Sequence, residues 1–275
     1  MRHLRLFAVV LFIGSLVFSI WSSHEYRKNQ NRDIPTLSCD TQLLEISVKD
    51  GAEALMTGLS AHDETDGDLT EHILVASVSH FLEPGTVNVK YVVFDAHNNT
   101  ATLTRQVRYT DYEPPRFSLS KPPVYLRGQN FDLLKYITAT DSLDGDISSS
   151  IKLVSGTVSN YAAGEYPLVF EVSNSCGQRA QVEIWVSYQD KAAGTVQIAL
   201  KDYIIYVAQG ARFDPYDSIL SITAGDGTAL DKENITIEGN LDTGTPGCYQ
   251  LAYTYADGTA SGQTRLTVVV TAQED

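Results

Sequence analysis

Two short stretches concentrate carboxylates, DETDGDLT at residues 63–70 and DSLDGDIS at residues 141–148. Hard cations take about 6–8 oxygen ligands, and several aspartates in one loop can supply half of them. Asp63, Asp66 and Asp68 in the first stretch, with Glu64 beside them, and Asp141, Asp144 and Asp146 in the second are therefore candidate calcium ligands. The spacing is not that of an EF-hand loop, which places ligands at alternate positions and a Glu at the twelfth. Carboxylate pairs also carry out acid/base chemistry on sugars, but that needs two acids facing each other across a cleft. Here the acids share one loop and the loop is written twice, which points to a repeated module and not to a unique active site. The same residues also suit a tight turn with no metal, because Gly tolerates positive φ and Asp bonds its own backbone.

Other reactive side chains lack a pattern. His62, His72, His80 and His97 cluster in one part of the chain, with no His, Ser or Cys signature around them, and read as scattered surface residues. Cys39, Cys176 and Cys248 are odd in number and form no C-x-x-C. Disulfides therefore do not define the fold, and Cys176, in SNSCGQ, is expected at the surface. No residue is assigned a catalytic role, and the chain reads as a non-enzyme.

The elements that must carry the acidic loops come from a repeat. Aligned on Gly85, Gly164 and Gly247, the chain reads GTVNVKYVVFD, GEYPLVFEVSN and GCYQLAYTYAD. Every second residue is apolar or aromatic in all three, the period of a strand with one buried face. Asp95, Asn174 and Asp257 then open a turn, and a second alternating run follows, so each copy holds a hairpin. The acidic phrase precedes the glycine at nearly the same interval in the first two copies; in the third it is reduced to AGDGTAL, where Asp226-Gly227 is aligned with the Asp-Gly of the others. A unit of roughly 80 residues with short strands and no convincing helix predicts tandem antiparallel β-sandwiches. Tyr and Trp at the inward positions, such as Tyr166, Tyr253 and Tyr255, are expected in the core.

An opening DYEPP (residues 111–115), an A-x-D-x-x-D-G-D motif, a G-x-Y strand and the Asp/Asn turn together resemble the bacterial immunoglobulin-like repeat of the pesticidal-crystal-protein type. The second copy matches best, the first matches through Ala61, Asp63, Asp66, Gly67, Asp68, Leu69 and Thr70, and the third only in its second half. The resemblance implies a bacterial source and modules strung between an anchor and something else.

The whole chain supports that layout. It has 275 residues, 34 acidic against 20 basic, and a formal charge of −14, which repels a phosphate backbone and excludes nucleic acid as a partner. After a cytoplasmic tip (residues 1–5), LFAVVLFIGSLVFSIW lies within a stretch (residues 6–23) read as an uncleaved transmembrane signal anchor with a single membrane span. A polar stalk (24–33) leads to domains at 34–111, 112–190 and 191–275, the last divergent. The expected protein is a single-pass cell-surface protein with its immunoglobulin-like domains outside the cell, acting in adhesion, display or structural spacing. The alternative is a module that binds cell-wall glycan or another surface protein, stabilised by calcium.

Overall fold

The computed structural model describes residues 13–22, 33–190 and 195–272. Residues 13–22 are helical; the rest of the expected anchor at 6–23 lies outside the described residues, among which no helix is long and apolar enough to cross a membrane. The chain divides into two compact units, Met1–Asp111 and Tyr112–Asp275.

The first unit contains β1 (Thr36–Cys39), β2 (Leu43–Ile46), β3 (Leu59–Asp63), β4 (Gly67–Asp68), β5 (Leu74–Val78), β6 (Thr86–Phe94) and β7 (Thr100–Tyr109). One sheet runs β1-β3-β4 and the other β2-β7-β6-β5. All pairings are antiparallel except β2 with β7. The alternation of β6 puts Val87, Val89, Tyr91 and Val93 wholly inside. Burying each such side chain is worth about 1.5–3 kcal/mol, so this face of the hairpin is a main source of stability. Arg105 on β7, opposite Val89, is also fully buried. Its Nη1 donates to the Thr57 carbonyl at 2.8 Å and its Nη2 to that of Leu55 at 2.7 Å, and its guanidinium lies 5.5 Å from the centre of the Tyr91 ring.

The second unit repeats this plan twice. Its first half has β8 (Arg116–Leu119), β9 (Val124–Leu126), β10 (Ile137–Asp141), β11 (Gly145–Asp146), β12 (Lys152–Ser155), β13 (Gly164–Ser173) and β14 (Arg179–Gln189), in sheets β11-β10-β8 and β12-β13-β14-β9. Its second half has β15 (Val196–Leu200), β16 (Ile204–Ala208), β17 (Ile219–Ala224), β18 (Ile235–Gly239), β19 (Gly247–Ala256) and β20 (Ser261–Thr271), in sheets β15-β17 and β16-β20-β19-β18. The strand missing from the third copy corresponds to β4 and β11; a lone bridge, Thr223 to Ala229, stands in its place. At the position of Arg105 these copies carry Ile184 and Leu266, both fully buried. The helix-like stretches at 131–137 and 215–220 contain only single 3-10 turns, Leu133–Lys135 and Pro215–Ser218.

The two halves of this unit share a continuous core. Polar contacts join them as well. Asp202 accepts from Ser118 Oγ at 2.8 Å and from the Leu119 amide at 3.2 Å, and the Tyr206 hydroxyl accepts from the Phe117 amide at 2.7 Å. Arg265 pairs with Glu165 at 2.7 Å and lies over the Trp185 ring, while Gln250 Nε2 donates to the Glu183 carbonyl at 2.7 Å.

Candidate functional site

The acidic phrase is the turn that joins β3 to β4 and β10 to β11. Gly67 and Gly145 sit at φ 79° and 70°, a conformation that a Cβ makes costly. Asp63 Oδ1 accepts from the amides of Thr65 (2.9 Å) and Asp66 (3.0 Å); Asp141 Oδ1 accepts from those of Leu143 (3.0 Å) and Asp144 (3.1 Å). In the third copy the aligned residue is Ala224, and its backbone carbonyl accepts from the Gly227 amide at 2.9 Å instead. A buried carboxylate in two copies therefore does the work that a carbonyl does in the third. Strand register also corrects the sequence alignment: Thr223 faces Ala229 as His62 faces Asp68, so Gly227 falls at the position of Asp66 and not of Gly67.

The six candidate ligands divide into three tasks. Asp63 and Asp141 are buried turn anchors. Asp66 and Asp144 reach across to the next hairpin turn, where Asp66 Oδ2 accepts from the Ala96 amide at 2.8 Å and Asp144 from the amide (2.6 Å) and hydroxyl (2.8 Å) of Ser175. Asp68 and Asp146 accept from the amides of Thr70 and Ser148, both at 2.9 Å, at the start of a 3-10 turn. Bonds from the Thr70 and Ser148 side chains and amides hold these two carboxyls below the usual range.

The hairpin turn supplies the partners that sequence reasoning missed. In the second copy Asp141 Oδ2 accepts from the Tyr112 hydroxyl and from Asn174 Nδ2, both at 3.2 Å, while Asn174 Oδ1 accepts from the Gln178 amide at 2.8 Å. Burial, with the Asp141 carboxylate beside it, pushes the Tyr112 hydroxyl well above its ordinary pKa. The first copy has Asp95 at the place of Asn174; Asp95 Oδ1 accepts from the amides of His97 (2.8 Å) and Asn99 (2.7 Å), and Oδ2 from Asn99 Nδ2 at 2.6 Å. Ligand atoms of Asp66, Asp95 and His97 lie within 4.8 Å of one another. His97 is thus not merely scattered: it is exposed, but it stands beside two carboxylates. The recurring Asp/Asn ten residues after each repeat glycine was the available sequence signal.

Cys176, expected at the surface, is buried, because the turn folds it inward and burial raises its thiol pKa. All three cysteines are free thiols. The inward tyrosines are largely as the alternation requires: Tyr188, Tyr253 and Tyr255 are buried and Tyr166 is half-buried, whereas Tyr161 is exposed.

Residues 120–186 match the model of a family described as bacterial surface protein, Ig-like domain. The pesticidal crystal protein Cry22Aa of Bacillus thuringiensis is 29% identical over 210 residues, 72% of this chain and 27% of that protein, so the chain spans about a quarter of the relative's length. Among solved structures, Drosophila N-cadherin EC1-3 is similar at a TM-score of 0.29 and 16% identity over 85% of this chain and 98% of that one. A lipoprotein of Bacteroides thetaiotaomicron is similar at a TM-score of 0.25 and 18% identity over 56% of this chain and 98% of the other. At those scores neither structure bears on function.

Proposed function

We propose that this chain, which carries an immunoglobulin-like repeat domain of the bacterial surface type, is a non-catalytic, membrane-tethered spacer or display module held outside the cell. The observation that carries the reading is the junction inside the second unit, where two sandwiches share one core and are fastened through Asp202, Tyr206 and the Arg265–Glu165 pair. A junction packed like a domain interior holds its halves in one orientation, which a spacer needs and a loosely jointed chain lacks. The acidic loops support it too, since their carboxylates serve turns that close the sandwiches. Spin labels on the two sandwiches of the full chain should give one narrow distance distribution; a broad one overturns the stiff-spacer reading. Protease treatment of intact cells should degrade the domains, and survival of the chain would place them on the other side of the membrane.

A second reading is glycan binding, favoured by a cleft of about 610 Å³ at the same junction, lined by Gln129, Gln189, Gln197 and Gln263 among others. Carboxamides donate and accept hydrogen bonds and suit neutral sugar hydroxyls. Saturable binding of the full chain to cell-wall polymers, lost in Gln263→Ala, would favour this reading over the spacer.

A further inference from the structure

At one buried contact the first copy carries a second carboxylate, Asp95, where the second copy has the neutral Asn174. In the second copy one oxygen of Asp141 anchors the turn and the other faces Asn174, whose amide donates to it at 3.2 Å. The first copy keeps the same scaffold: the Asp95 amide donates to the Asn99 carbonyl as Asn174 does to Gln178, and Asp66 holds the Ala96 amide as Asp144 holds that of Ser175. Asp63 anchors its turn through Oδ1 in the same way, so its Oδ2 is directed at the place of Asn174, where Asp95 stands. Asp63 is 1% exposed, and its Oδ2 has no hydrogen-bond partner. An unmatched buried carboxylate oxygen beside a second buried carboxylate is costly unless something positive lies between them. Among the described residues no ion pair reaches Asp63, Asp66 or Asp95. Arg32, at the place where the second copy has Tyr112, lies outside the described residues.

We propose that Asp63, Asp66, Asp95 and His97 form a divalent-cation site in the first copy alone, selective for a transition metal of the zinc or manganese class over calcium. Asp66, Asp95 and His97 already have ligand atoms within 4.8 Å of one another. Asp63 is not in that group; its unpartnered oxygen is placed toward the same turn by its match to Asp141, whose second oxygen accepts from Asn174. Calcium and magnesium take oxygen ligands, whereas an imidazole nitrogen among carboxylates suits zinc, manganese or iron. In the second copy the Asn174 amide does the cation's work and Ser175 and Cys176 replace Ala96 and His97, so no site is expected there. The inference does not depend on the spacer role.

The test uses the full chain in detergent, stripped with EDTA, with melting temperature and titration calorimetry as readouts. Added Zn²⁺ should bind and raise the melting temperature, with a weaker response to Mn²⁺ and little to Ca²⁺. Asp95→Asn rebuilds the second copy's neutral contact, and should abolish the zinc response while raising the melting temperature of the metal-free protein. His97→Ala, at an exposed position that leaves folding intact, should weaken zinc binding at least tenfold. No response to zinc, an equal response in both variants and the parent, or calcium binding as tight as zinc would each overturn the proposal.

Discussion

The first two copies share strand order, register and turn bonds, yet they treat one buried carboxylate oppositely. Asp141 is saturated, with two amides on one oxygen and a hydroxyl and a carboxamide on the other. Asp63 has the same two amides and then an oxygen with nothing to accept from. The difference teaches that the acidic phrase is first a folding device and only conditionally a ligand set. What it can bind is decided by the turn after β6 or β13, not by the number of acids in the phrase.

The largest expected effect sharpens that comparison. Asp141→Ala removes the acceptor shared by the Tyr112 hydroxyl, the Asn174 carboxamide and two turn amides, and should cost about 3 kcal/mol or more by urea unfolding, since each buried polar group that loses a partner costs about 1–3 kcal/mol. Asp63→Ala, measured in EDTA, should cost clearly less; equal losses would break the contrast. Next comes the core arginine. Arg105→Ala should destabilise the first unit by about 3 kcal/mol, whereas Arg105→Leu, which installs an aliphatic side chain like the Ile184 and Leu266 of the other two copies, should lose half of that or less. An equal loss for both would mean that the hydrogen bonds to Leu55 and Thr57 matter more than volume. Tyr112→Phe removes one hydroxyl from the Asp141 network and should cost about 1 kcal/mol, read from the same urea curves.

The smallest effect concerns the third copy. Asp257 accepts from the amides of Ala260 and Thr259 and from the Thr259 hydroxyl, which holds its carboxyl down at about 2. A depressed folded pKa contributes stability that is present above the ordinary carboxyl value and is lost as pH falls toward 2. Melting temperature should therefore decline from pH 4 to pH 2, and Asp257→Asn should flatten part of that decline.

Much of the fold was legible because the central hairpins are long and strictly alternating, so Val87 to Val93 and Leu168 to Val172 announce their buried face. Arg105 was not, since a charged residue in an alternating run reads as outward until the carbonyls of Leu55 and Thr57, far back in the chain, are seen to receive it. The acidic loops were legible as repeated turns. Their partners were not, because Asp66 meets Asp95 and His97 only when two turns from different sheets arrive at the same end of the sandwich. The erosion of the phrase in the third copy was visible, but its register needed the bridge from Thr223 to Ala229.

The parallel pairing of an early strand with the last strand has a mechanical meaning. In each copy the second strand (β2, β9 or β16) lies alongside the strand by which the chain leaves (β7, β14 or β20). Tension between the two ends would therefore load the hydrogen bonds of that patch in shear, all together, where an antiparallel pair would open one bond at a time. The patch runs from Leu43 to Ile46 in the first copy, only from Val124 to Leu126 in the second, and from Ile204 to Ala208 in the third. If the chain is pulled from its ends in a single-molecule instrument, the second sandwich should yield first and the third last, a graded fuse along the chain.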